Sequence, residues 1–286
     1  MSLVFSRGWY VLLAVLLVFF GGTVAATLDS DHGDETVLRV AADPNNLPFS
    51  NVRGEGFENR IAELVACELG KKLEYVWRAQ RRGFFRETLK EGRADLVIGV
   101  PAGFDMALTS IPYYRSSYVF VTRQNRGMKV SSFDELILRT AKVGIQLVGD
   151  DGVNTPPAHA LANRGIVTNV VGFTLYGDYR EPNPPARIVE AVARGDLDVA
   201  VVWGPLPAYF NRTQGLNLEI TPVIASPEDQ PLKFDFSIAM GVRKGNQALR
   251  DSLNEIIRKR RFEVETILKT FGVPLMPLKE DFINPA

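Results

Sequence analysis

The sequence predicts an α/β fold in which one strand–helix plan occurs twice. Two observations carry this expectation. Short, continuously apolar stretches alternate with amphipathic ones, as in parallel strands buried on both faces by crossover helices. The two halves also share a register. Gly92-Arg93-Ala94-Asp95 and Gly195-Asp196-Leu197-Asp198 stand 103 residues apart, as do Val40 and Val143. In each half the glycine stops a helix and the aspartate opens a third strand. The chain has 286 residues, 33 Lys+Arg against 33 Asp+Glu, and 46% hydrophobic residues. That composition excludes disorder and a multi-span membrane protein, and the balanced charge argues against a dedicated nucleic-acid binder. The length suits one large domain or two modest ones.

Residues 1–26 read as a secretory signal peptide. Arg7 supplies the positive start, Trp9 to Phe20 an apolar run too short to span a bilayer comfortably, and Thr23-Val24-Ala25-Ala26 the small residues of a cleavage zone. Residues 27–37 read as a flexible mature N-terminus. Its Asp29–Glu35 stretch fails as a calcium loop, because Asp34 and Val40 stand where glycine and glutamate are needed. In the first half, Leu38–Ala42 is the opening strand and Phe57–Leu69 an amphipathic helix stopped by Gly70. Leu73–Trp77 is the second strand, Phe84–Lys90 a short helix, and Asp95–Val100 the third strand. Cys67, the one cysteine, excludes an intramolecular disulfide and reads as a buried inert thiol on the helix.

In the second half, Lys142–Gln146, Asn169–Phe173 and Asp198–Trp203 are strands, with helices at Ala158–Arg164 and Ala186–Arg194. Leu218–Val223 and Phe234–Val242 are further strands, and Asn246–Ile257 is a helix. The basic run Arg258-Lys259-Arg260-Arg261 reads as charge offsetting a helix C-terminus rather than as a nucleic-acid patch.

Thr109-Ser110-Ile111-Pro112-Tyr113-Tyr114, followed by the extended Tyr118–Arg123, resembles a segment of periplasmic solute-binding proteins of the amino-acid-binding class, family 3 with the type II fold. The resemblance covers about residues 38–272. It implies two α/β lobes joined by two extended hinge strands, with 38–121 and 236–286 as lobe one and 122–235 as lobe two. A narrower set of motifs comprises Ala42-Asp43-Pro44-Asn45-Asn46-Leu47-Pro48-Phe49-Ser50-Asn51, Gly54-Glu55-Gly56-Phe57-Glu58-Asn59 and Gln80-Arg81-Arg82-Gly83-Phe84. Gly99-Val100-Pro101-Ala102-Gly103 and Tyr113–Phe120 complete it. These are similar to the quinoprotein-dehydrogenase-associated subgroup, the J proteins of methanol oxidation clusters. That likeness implies a periplasmic accessory protein without a cofactor or metal of its own. Its partner would be a pyrroloquinoline-quinone-dependent methanol or alcohol dehydrogenase.

Ligand sites in open α/β lobes lie at the carboxyl ends of strands. Those ends are the loops Asp43–Phe49, Arg78–Phe84, Gly99–Phe104, Leu147–Thr155 and Thr174–Pro185, and the stretch Trp203–Pro205. The candidate binding residues are therefore Asp43, Asn45, Asn46 and Phe49; Arg81, Arg82 and Phe84; Pro101 and Phe104; Asp150 and Asp151; and Trp203. An amino-acid binder needs an Arg after the third strand to grip a carboxylate, donors at a helix start in lobe two, and an acid for the ammonium. Here Pro101–Asp105 contains no Arg, Asp150-Asp151 would repel a carboxylate, and Trp203-Gly204 stands where the family usually carries the acid. A zwitterionic amino acid is thus a poor fit. Phe49, Phe84, Phe104 and Trp203 suit a small apolar or aromatic ligand, or part of a partner protein, although each is as readily core as cleft wall. Arg81-Arg82 and Asp150-Asp151 read as solvated loop charges rather than as a closure across the cleft.

Three function classes are open to such a chain: dehydrogenase accessory protein, transport receptor for a small apolar or aromatic solute, and enzyme on a binding-protein fold. The enzyme reading lacks a carboxylate anchor. His32 and His159, the two histidines, offer little for a nucleophilic triad, and no His/Cys cluster or Lys-bearing phosphate loop is present.

Overall fold

Two half-sheets share one long strand. The computed structural model describes residues 36–148, 154–175 and 179–278. The leader, residues 27–35 and the Asp150-Asp151 pair lie outside the described residues. The first half-sheet contains β1 (Val37–Ala42), β4 (Lys72–Trp77), β5 (Leu96–Pro101), β6 (Leu108–Arg123) and β11 (Asp235–Val242), in the order β4-β1-β5-β11-β6. Val37, expected in the flexible tail, already pairs with Lys72. β1 is parallel to β4 and β5, whereas β11 returns antiparallel between β5 and β6. A small ribbon, β2 (Asn45–Asn46) with β3 (Ser50–Asn51), stands at the carboxyl end of β1.

β6 is 16 residues long and serves both halves. Residues up to Ser117 pair with β11, and from Tyr118 onward the same strand runs between β9 (Val199–Trp203) and β10 (Leu218–Pro222). β7 (Val143–Leu147) is parallel to β9 and to β8 (Val170–Thr174), completing the second half-sheet. Its strands are apolar on both faces because both faces are covered. Val119, Val121, Ala200 and Val202 pack into one cluster with Ile188, Val192 and Phe210, while Phe120, Val199 and Val201 pack into another with Phe133, Ile145 and Leu161. The first half-sheet has its own core, with Leu38, Val40, Ile98 and Met240 against Phe57, Ile61 and Leu253.

The duplicated Gly-x-x-Asp has a geometric meaning. Asp95 accepts the backbone N–H of Arg39 at 2.9 Å, and its own N–H donates to the Arg39 carbonyl at 2.8 Å. Asp198 does the same to Lys142, at 2.9 Å and 3.0 Å. Each aspartate thereby ties the start of its third strand to the start of the first. The preceding glycines, Gly92 and Gly195, turn at φ 72° and 90°, a backbone that side-chain-bearing residues rarely adopt.

The helices are α1 (Phe57–Glu68), α2 (Pro156–Asn163), α3 (Arg187–Arg194), α4 (Pro205–Gln214), α5 (Gln247–Lys259) and α6 (Arg261–Thr270). α1 buries Phe57, Ile61, Ala62, Val65 and Ala66. Cys67 is exposed, not buried: it follows Ala66 by 100° and lands on the outer face. The expected helix at Phe84–Lys90 forms over that span and widens to a π-helical turn at Arg86–Lys90, with the Thr88 hydroxyl bonding back to the Phe84 carbonyl at 2.6 Å. α4 has no counterpart among the expected elements, and it begins with Pro205 and Pro207. They sit in the first turn, where a missing N–H does no harm. In the basic run, Lys259 and Arg260 both pair with Glu68, pinning the α5–α6 junction onto α1.

Candidate functional site

The carboxyl ends of β1, β5 and β7, the start of α1 and the midpoint of β6 surround a cavity of about 300 Å³. Its apolar wall includes Phe49, Tyr114, Tyr118, Trp203, Leu206 and Ile238. Its polar groups are Asn46, Gln80, Gln146 and Glu58. The aromatic wall is rigid: Tyr118, Trp203 and Phe236 meet edge to face with centroids 5.5–6.5 Å apart, and Phe49 stands edge-on to Phe57 at 5.2 Å. Burial raises the Tyr118 phenol to about 12 and pushes Tyr114 higher still.

Glu58 is the one ionisable acid among the lining residues. It is the second residue of α1, and its backbone N–H donates to Phe49 O at 2.9 Å. Its carboxylate rests against bare backbone: a Cβ at Gly99 would come within 2.2 Å of Oε1. Desolvation, with a smaller contribution from the negative charge of Asp43, raises its pKa to about 8.

Around the mouth, the two half-sheets hold each other directly. Asp43, 3% exposed, accepts hydrogen bonds from the Asn45 N–H (2.9 Å), the Gln80 N–H (2.7 Å) and the Tyr179 hydroxyl. Asn45 donates through Nδ2 to the Glu181 carbonyl at 2.9 Å and accepts from the Asn183 N–H at 3.3 Å. Arg81 lies over the Tyr179 ring, 4.9 Å from its centroid. A second hollow of about 560 Å³ adjoins the cavity at Gln146 and Pro185, with Arg81 and Arg187 on its walls.

The structure thus brings Asn46, Phe49, Pro101 and Trp203 onto the cavity and gathers Asp43, Asn45 and Arg81 into the contacts at its mouth. Arg82 is exposed and does not line the cavity. Phe84 is core, 3% exposed among Ala41, Leu89 and Val97, and Phe104 packs over that cluster against Phe85 at 4.7 Å. Asp150 and Asp151 lie outside the described residues. Sequence reasoning missed Glu58, Gln80, Gln146, Tyr114 and Tyr118 as site residues. All but Gln146 stand within the subgroup motifs, but only the fold, which joins segments distant in sequence, turns them into one cavity wall. Among the described residues there is no group of three or more His, Cys, Asp or Glu able to hold a metal, and no helix long and apolar enough to cross a membrane.

Residues 38–270 match the bacterial extracellular solute-binding proteins, family 3. Protein MoxJ of Methylorubrum extorquens AM1 is 34% identical over 257 residues, covering 86% of this chain and 83% of that protein. The crystal structure of the periplasmic binding protein XoxJ from Methylobacterium extorquens AM1 superposes with a TM-score of 0.69 at 32% identity, over 84% of this chain and 100% of that one. MxaJ from Methlophaga aminisulfidivorans MPT superposes at 0.72 with 24% identity and the same coverage, a likeness of fold.

Proposed function

We propose a function from one premise: the chain belongs to the bacterial extracellular solute-binding proteins, family 3, and groups there with the MoxJ proteins. It is a non-catalytic periplasmic accessory protein that docks on and assists a pyrroloquinoline-quinone-dependent methanol or alcohol dehydrogenase. The observation that carries this reading is the makeup of the cavity. Among its described lining residues there is no Arg or Lys, so the carboxylate of a transported amino acid has nothing to pair with. Burying that charge unpaired would cost several kcal/mol. A solute-binding fold without its usual anchor, related to MoxJ, fits service to an enzyme better than delivery to a transporter.

In this reading the leader at 1–26 directs export, and the lobes divide at 121/122 and 235/236. The separate cores favour two lobes, while the change of partners along β6 falls between Ser117 and Tyr118, a few residues before the proposed 121/122 boundary. The test is co-purification with the dehydrogenase expressed beside it, together with the enzyme's turnover with and without the protein. A complex or a change in turnover at micromolar concentration is expected. Neither effect appearing would end the proposal.

The enclosed aromatic wall favours one second reading, a receptor for a small apolar or aromatic solute. It requires a ligand-dependent rise in Tm; a broad solute screen without any shift would count against it.

A further inference from the structure

The cavity has an acid in its wall and no base to neutralise it. Among the described residues the Glu58 carboxylate has no hydrogen-bond or ion-pair partner, and it faces a space bounded by four aromatic rings. Asp43 adds negative potential nearby, its own oxygens being committed to Asn45, Gln80 and Tyr179. The guanidiniums of Arg81 and Arg187 stand in the adjoining hollow, the first over Tyr179 and the second 4.0 Å from Glu181.

We infer that this cavity binds a small organic monocation, an ammonium group on an apolar or aromatic body, with Glu58 as counter-ion and Phe49, Tyr114, Tyr118 and Trp203 as its walls. Each part of the wall selects for that class. Ring faces attract cations, most strongly where water is excluded. A cation pairs with the ionised carboxylate, whereas an anion would hold it in its neutral form and a neutral ligand gains only a hydrogen bond. The bare backbone at Gly99 leaves room for the carboxylate where any side chain would displace it. This goes beyond an accessory role and stands whether or not the protein docks on a dehydrogenase.

Binding carries a proton signature. The empty site holds a proton on Glu58 near neutral pH, and an entering cation expels it to solvent. The titratable groups coupled to Glu58 are Asp43, Tyr75, Tyr113 and Tyr114; the three tyrosines stay neutral because burial raises each phenol above its usual value.

The experiment is calorimetric titration of the whole exported chain with benzyltrimethylammonium, benzyl alcohol and benzoate, repeated in buffers of different ionisation heat. The ammonium should bind at least about tenfold tighter than the alcohol, with benzoate weaker than both. Close to one proton should be released at pH 7, and affinity should rise towards pH 8. Glu58→Gln should abolish both the preference and the proton release while still binding benzyl alcohol. Equal binding of ammonium and alcohol, binding of none of the probes, or a preference unchanged in Glu58→Gln would overturn the inference. The comparison of the three probes on the unmodified chain is decisive even if the variant does not fold.

Discussion

At Glu58 one side chain couples site chemistry to stability. Its folded pKa of about 8 lies above the ordinary carboxylate value of 4.5. Between those values the folded chain keeps a proton that the unfolded chain has lost, so stability falls as pH rises from about 4.5 to about 8. Each unit corresponds to about 1.4 kcal/mol; with the carboxyl partly open to the cavity, the total is on the order of 3 kcal/mol. Glu58→Gln should therefore leave Tm nearly unchanged at pH 5 and raise it at pH 8. Thermal melts at the two pH values check this, and equal shifts at both would refute it. Little of this was legible in the sequence. Glu58 sits in a quoted motif, yet its environment is set by Gly99 and Asp43, which the fold brings together. The absence of Arg from Pro101–Asp105 needed no fold and was readable directly.

Among the elements, the strand starts show how a weak sequence repeat becomes a structural one. Asp95 and Asp198 each hold the first and third strands of their half in register by accepting one backbone N–H. Asp95→Ala should destabilise by about 1–3 kcal/mol, because it removes a charged acceptor from a partly buried amide, and Asp198→Ala by less, because the Lys142 amide is exposed. Urea unfolding midpoints check the expectation, and a change below about 0.5 kcal/mol in both would show the repeat to be incidental. The strands themselves were legible because they are apolar on both faces. α4 was not, since two prolines in ten residues look like a loop until Gly204 is seen to start the helix. Cys67 was misplaced for a related reason: an amphipathic helix tells which residues share a face, but a residue at the border of that face is decided by how the helix is rotated on the sheet.

For the molecule as a whole, α/β patterning and the 103-residue register pointed to a duplicated α/β unit and the family resemblance to its lobes and hinge strands, whereas the contacts across its cleft were not legible. Asp43 and Asn45 reach Tyr179, Glu181 and Asn183, 136 to 138 residues away in sequence, through a mixture of side-chain and backbone bonds. No periodicity encodes such pairs. Arg81 was read as a solvated charge; it is exposed, and its guanidinium also lies over the Tyr179 ring, a contact the sequence did not suggest.

Those contacts also govern time. Because these bonds tie the two halves across the mouth, solute entry is expected to require excursions in which the Asp43–Tyr179 and Asn45–Glu181 bonds are broken. The observed rate of binding should then climb with solute concentration and level off at the opening rate, rather than rise without limit. Stopped-flow fluorescence of Trp203, which lines the cavity, can follow this with benzyltrimethylammonium as the solute. Tyr179→Phe combined with Asn45→Ala should lift the plateau, with little change in the initial slope divided by the open fraction. A rate that stays linear at every concentration in the unmodified chain would mean the fastening is too brief to matter. If the plateau is seen, the protein works as a slow valve: its contents, once captured, are held for as long as its own four residues stay joined.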